Sequence, residues 1–193
     1  MEVMEAIRNR RSIRRYRPDP VSDEALATLL EAARLAPSWA NTQCWRLVVV
    51  RDPTIKAQIA EATSSTTGGR ENRSTQAVRE APLVIVACAQ KGLSGIYRGG
   101  ERKGQAATDK GDYWYMFDVA LAMHNLTLAA PALGLGTVHV GMFDSAQVAR
   151  LLKLPDDVAA IEIMPVGYPA ESPQPRPRQP VEAFVFFDVY DRR

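Results

Sequence analysis

The sequence predicts an α/β (α+β) protein: a mixed β-sheet flanked by helices, with its last strand carried away from the rest by an extended arm. Three observations predict it. Leu47–Val50 and Leu83–Cys88 are continuously apolar and rich in β-branched residues, as strands covered on both faces must be. Segments with helical spacing alternate with these strands along the chain, the order that lays helices on a sheet. Finally, 193 residues that are 46% hydrophobic and 24% charged suffice for one domain, 1–193, with a substantial core.

Taken in order, residues 2–9 can form a short helix with Val3, Ala6 and Ile7 on one side. An arginine-rich run from Arg10 to Arg17 follows, closed by Pro18 and Pro20. Ser22 is an N-cap candidate with Asp23 and Glu24 in the first turn, where the helix dipole favours anions. Leu26, Leu29, Leu30 and Ala33 then mark an amphipathic helix that ends at Pro37. After the loop Ser38–Cys44 come the first strand, a helix over 54–62, a polar loop over Thr63–Ser74, and the second strand behind Pro82. Six of the twelve glycines fall in 91–112, so 90–112 reads as a long variable lid or loop. Tyr113 to Leu133 reads as a central buried helix whose last turn Pro131 distorts, with Gly134 as its cap. Thr137–Val140 is a short strand, 145–153 a helix and 159–166 a strand. Five prolines make 169–180 an extended arm, and Phe184–Tyr190 alternates like a strand, so 169–193 reads as an arm plus a strand able to join a partner's sheet.

Charge and cysteine content exclude several classes. With 24 basic against 22 acidic residues, nothing global argues for nucleic acid. Two cysteines, Cys44 and Cys88, cannot build a disulfide framework or a structural zinc site, and they suit a reducing, cytoplasmic setting. The start Met1-Glu2-Val3-Met4-Glu5 lacks the apolar core of a signal peptide. The uncharged stretch between Asp118 and Asp144 is long enough to span a bilayer, but its histidines, Pro131 and three glycines read as buried helix, turn and strand, with no membrane partner expected. His124 and His139 have no second ligand at metal spacing, so no metal site is expected.

Only five of the basic residues are lysine and 19 are arginine, and arginine is favoured where planar, multi-donor recognition of phosphate or carboxylate matters. Arg10, Arg11, Ser12 and Arg14 put several guanidinium forks and a hydroxyl within five residues; Arg176 and Arg178 sit in the stiff arm. Each cluster alone reads as surface charge, and the two together suggest a phosphate site. Ser38, Trp39, Asn41 and Gln43 offer hydroxyl and amide groups suited to a heterocycle that presents both donors and acceptors. Gly134-Leu135-Gly136 precedes a strand and lacks a third glycine, so it is no dinucleotide fingerprint. Gly141 could bring a backbone N–H close to a ligand. His139 beside it is a candidate without an assigned role, and Cys44 reads as inert packing.

These pieces occur in an order that resembles the FMN-dependent nitroreductase family. Residues 10–50 resemble its N-terminal signature and 132–182 its C-terminal half, and the strand after Glu80-Ala81-Pro82 fits as well. The resemblance implies a homodimer with two FMN sites at the interface, each built from both subunits. It places Arg10, Arg11 and Ser12 on the FMN phosphate, with Arg176 and Arg178 closing on it from the arm. Arg14 would lie near the pyrimidine edge of the flavin; Ser38, Trp39, Asn41 and Gln43 would come from the partner. Val140 and Gly141 would face the ring, with the Gly141 N–H aimed at N5, and either Asn72 or Gln76 would supply a further contact. Cys44, where the family commonly has proline, and Pro131 in the central helix depart from the pattern.

The activity implied is reduction of nitroaromatic, quinone or similar aromatic acceptors by NADH or NADPH, in ping-pong order. No protein acid–base pair is required, because the flavin carries the electrons and the chain supplies position and electrostatics. Reductive dehalogenation or breakdown of the flavin itself are alternatives on the same fold. A basic-arm nucleic-acid module is a non-enzymatic alternative, and it leaves Arg176, Arg178 and the 38–43 loop unexplained.

Overall fold

Local chemistry fixes the element ends. A computed structural model describes residues 2–66, 68–111 and 113–190. Helix α1 is Val3–Asn9 and α2 is Asp23–Arg34, the latter capped by Ser22, whose hydroxyl accepts from the Ala25 N–H. Strand β1 is Trp45–Val50. Helix α3, Pro53–Ser65, is capped by Asp52 with proline at its first position, and α4, Arg73–Glu80, by a capping box between Asn72 and Thr75. Strand β2 is Leu83–Gln90, α5 is Tyr113–Ala129, β3 is Gly136–Thr137, α6 is Ser145–Leu151 and β4 is Val158–Gly167.

The sheet has strand order β1-β2-β4-β3 with every neighbouring pair antiparallel. Its mixed character is confined to one parallel bridge, Ser12 to Thr137, against the β3 edge. Side chains alternate along β2: Val84, Val86 and Cys88 pack on α3, α4 and α6, while Leu83, Ile85, Ala87 and Ala89 pack on α2 and α5. All of β2 up to Ala89 is buried because it lies in the middle of the sheet with helices on both faces. β1, expected to be equally covered, is an edge strand and only half-buried over most of its length.

By length and composition Tyr113–Leu133 could cross a membrane. It instead packs on α2, β1 and β2 and buries the carboxylate of Asp118. At Pro131 the helix narrows into a 3-10 turn, Ala130–Leu133, and Gly134 closes it in the left-handed conformation (φ +70°), as the sequence predicts. The loop expected over Thr63–Ser74 is shorter, since α3 runs to Ser65 and α4 begins at Arg73.

Two expectations for irregular segments need correction. Gln90 belongs to β2, and the lid that follows is pinned at its base: Ser94 is buried, and Trp114 Nε1 donates to Thr108 Oγ1 at 2.8 Å, with exposed residues between Arg98 and Lys103. Asp112 lies outside the described residues. Phe184–Tyr190 is not a strand; a 3-10 turn, Val181–Ala183, leads into irregular chain that pairs with no sheet edge among the described residues. Residues 191–193 lie outside the described residues.

Candidate functional site

The two arginine clusters converge, and the backbone shows how. The Ile13 N–H donates to the Thr137 carbonyl at 3.0 Å, clipping residues 12–13 beside β3. Gly136 is required there, because a Cβ would fall 2.5 Å from Ile13 Cγ1 and 3.1 Å from Pro169 Cγ. Beyond β4 the chain turns back along the same segment: Arg17 N–H donates to the Tyr168 carbonyl at 2.8 Å, and Ala170 N–H to the Arg15 carbonyl at 2.9 Å. Glu171 accepts from the Arg14 N–H at 2.6 Å and from Arg73 Nη2 at 3.1 Å. The arm is thereby laid antiparallel to residues 14–17, and its next residues face Arg10–Arg14.

The result is a groove of about 510 Å³ lined by Arg8, Arg10, Arg11, Ser12, Arg14, Arg73, Arg176 and Arg178, with Ile7 and residues 173–175 between them. No lining residue is acidic. Burial first, then Arg178 and Arg11, pull the Arg10 guanidinium below its ordinary range, which places the two clusters within electrostatic reach. Arg11 is held by the carbonyls of Arg8 and Arg10, to which Nη1 donates at 2.8 and 2.9 Å. Such a donor set, with a serine hydroxyl, suits a phosphate dianion.

Arg73 also borders a second hollow of about 340 Å³, lined by Asn72, Ser74, His139, Val140, Gly141 and Met142. Gly141 has nothing within 4 Å of where a Cβ would be, so its backbone is open to this hollow. Asn72 borders it, although its Oδ1 is spent capping α4. Gln76 does not; its amide donates to Glu80 at 2.7 Å and lines a neighbouring depression with Glu71, Arg79 and Glu80. His139 holds Glu162 through Nδ1 at 2.6 Å and Thr127 through Nε2 at 3.0 Å. Thr127 is 2% exposed, so this carboxylate–imidazole–hydroxyl chain orients the ring and offers no nucleophile.

The loop bearing Ser38, Trp39, Asn41 and Gln43 does not line the arginine groove. It is rigid and strained: Ala40, Asn41 and Gln43 all take left-handed backbone (φ +44°, +52° and +49°). Asp118 holds it. This fully buried carboxylate accepts from the Trp39 N–H at 2.9 Å, from Thr42 Oγ1 at 3.3 Å, from the Ser94 hydroxyl and from the Cys44 thiol at 3.7 Å. Sequence reasoning missed Asp118, although a lone acid within an otherwise apolar helix is a signal. Arg8, Arg73, Glu162 and Glu171 were missed too; Arg8 stands one helical turn before Arg11, and nothing local marks the others. Cys44 and Cys88 are buried thiols. Among the described residues no group of three or more His, Cys, Asp or Glu could hold a metal ion.

The fold is an α+β architecture in which seven arginines and a serine line one groove and Asn72 and Gly141 border the hollow beside it. Residues 7–168 match the sequence profile of the Nitroreductase family, and the chain belongs to that family. It is 34% identical over 209 residues to an NADH dehydrogenase of Thermus thermophilus, covering 97% of this chain and 96% of the relative. It is 32% identical over 174 residues to a 5,6-dimethylbenzimidazole synthase of Rhodospirillum rubrum, covering 84% and 79%. Among solved structures, an NADPH:FMN oxidoreductase from Vibrio harveyi complexed with NAD+ superposes with a TM-score of 0.80 at 25% identity, covering 97% of this chain and 77% of that one.

Proposed function

We propose that the chain, as one domain over residues 1–193, is an FMN-dependent oxidoreductase that takes electrons from NADH or NADPH and passes them to nitroaromatic, quinone or similar acceptors. The convergence of Arg10–Arg14 with Arg176 and Arg178 carries this reading. The donor set fits the flavin phosphate on its chemistry, and the open backbone at Gly141 fits the close approach of a planar ring. When bound, FMN supplies the hydride chemistry that no side chain here can perform.

The chain's own residues bind and orient. Arg10, Arg11, Ser12, Arg176 and Arg178 hold the phosphate; Arg14 sets a cation at the pyrimidine edge; Val140 and the Gly141 N–H line the ring, with Asn72 preferred over Gln76 because it borders the same hollow. Donor and acceptor use the same open side in turn, which is ping-pong order. The remaining contacts, from Ser38, Trp39, Asn41 and Gln43, come from a second copy, since this loop does not line the groove of its own chain. Support for a second copy lies in the bare apolar stripe on α5, where Tyr113, Met116, Phe117, Ala120 and His124 recur at helical spacing, and in the exposed Phe184, Phe187, Val189 and Tyr190 of the tail. Two protonated buried thiols suit a cytoplasmic setting.

Arg178→Ala tests the reading, because Arg178 lies in irregular chain. Flavin should bind about tenfold more weakly or worse, one charge-assisted contact being worth roughly 1.5–3 kcal/mol. Unchanged flavin content, read from the visible spectrum, overturns the assignment. The relationship to a 5,6-dimethylbenzimidazole synthase favours a second reading, flavin breakdown, since the isoalloxazine also contains a dimethylated benzene ring bearing nitrogens on two adjacent carbons. Irreversible bleaching of FMN on aerobic reduction by the protein would select that reading over the first.

A further inference from the structure

The groove carries more positive charge than one phosphate answers. Of its seven arginines only Arg73 has a carboxylate partner among the described residues, Glu171 at 3.1 Å; the other six guanidiniums are uncompensated. A phosphate monoester brings about two negative charges at neutral pH, so about four of those six remain unmatched. Under the flavin assignment above, on which this inference rests, Arg10, Arg11, Arg176 and Arg178 face the flavin phosphate and Arg14 the ring. Arg8 is left over. It stands in the last turn of α1, on the groove wall, and its carbonyl is fixed by Arg11 Nη1 at 2.8 Å. Burial first, then Arg178 and Arg11, hold the Arg10 guanidinium below its ordinary range, in keeping with this crowding of like charge. With a volume of about 510 Å³ the groove has room for more than a phosphate group.

We propose that this groove also receives the 2′-phosphate of NADPH, with Arg8 as the residue that selects NADPH over NADH. The two nicotinamide nucleotides differ only in that monoester. A second dianion would halve the unmatched charge, whereas the free ribose hydroxyl of NADH offers the guanidinium only a neutral acceptor.

The test titrates the flavin-loaded protein, at fixed ionic strength, with adenosine 2′,5′-bisphosphate, with 5′-ADP and with 5′-AMP. The 2′,5′-bisphosphate should bind at least about tenfold more tightly than 5′-ADP, which carries as many phosphates in another arrangement. Arg8→Gln should erase that preference and lower the NADPH:NADH ratio of kcat/KM about tenfold, mainly through the KM for NADPH. Equal binding of the 2′,5′-bisphosphate and 5′-ADP overturns the proposal, as does an Arg8→Gln variant that retains the NADPH:NADH ratio. Flavin content is measured on the same samples: colourless wild-type protein defeats the flavin reading and this inference with it, whereas flavin-loaded protein without the nucleotide contrast defeats the 2′-phosphate alone.

Discussion

Gly136→Ala should uncouple the arginine strand from the sheet. The new methyl would lie 2.5 Å from Ile13 Cγ1, 2.8 Å from Ile13 Cβ and 3.1 Å from Pro169 Cγ, so neither side of the clip can yield by rotating a single flexible side chain. Overpacking of this kind costs roughly 1–3 kcal/mol. If the strand moves off, the bond from the Ile13 N–H to the Thr137 carbonyl adds about 0.5–1.5 kcal/mol. A loss of about 1.5–4.5 kcal/mol is therefore expected in urea unfolding. Gly134→Ala, where only the left-handed φ of +70° is at stake and the space is open, should cost about 1–2 kcal/mol. Because Arg10, Arg11 and Arg14 hang on the displaced segment, Gly136→Ala should also weaken flavin retention at least about tenfold. Ile13→Ala removes the nearest clashing atom, so the double variant should lose less stability than the two single variants together. Wild-type stability in Gly136→Ala, or lowered stability with full flavin retention, would refute the link between the clip and the groove.

Two further predictions concern the tail and the thiols. Deleting residues 181–193 should give a monomer in sedimentation and release the flavin; a flavin-loaded monomer would contradict the proposed role of a second copy in the site. Burial first, then Asp118, pushes Cys44 up to about 12, and burial pushes Cys88 up to about 11, each from a starting value of 9.0. A raised folded pKa contributes stability that is fully present below pH 9 and lost as pH rises from 9 toward 11–12. Native protein at pH 8 should therefore leave both thiols unlabelled by a disulfide reagent until denaturant is added, and Cys88→Ala should flatten part of the alkaline loss of stability. Rapid native labelling would show that the thiols are not sealed.

Features set by neighbouring residues were readable from the sequence, and those set by topology were not. The Ser22 cap, the distortion at Pro131 and the left-handed Gly134 each follow from one residue's chemistry, and all are present. Helix α4 escaped because its sequence, RSTQAVRE, buries only Thr75, Ala77 and Val78 and has too short an apolar face to register. Edge position, as for β1, is decided by which strands pair, and a run of valines carries no record of that. The tail from Phe184 to Tyr190 has the alternation of a strand without an edge to join in its own protomer. At the site, each arginine cluster was visible by itself. Their meeting depends on residues 14–17 pairing with 168–171, and Glu171, which ties both walls together, has no local signature. The 38–43 loop, which carries three left-handed residues, is anchored at Trp39 and Thr42 by Asp118 from a distant helix.

That pairing of the two ends has a consequence for how the protein is made. Arg14 and Glu171 are 157 positions apart, so the clip closes only after the chain through Glu171 has left the ribosome. Until then the arginine strand dangles, and the nascent sheet has no pocket to offer. On the proposed assignment, cofactor capture waits for the arm, and a message truncated before it should yield a protein that does not retain flavin.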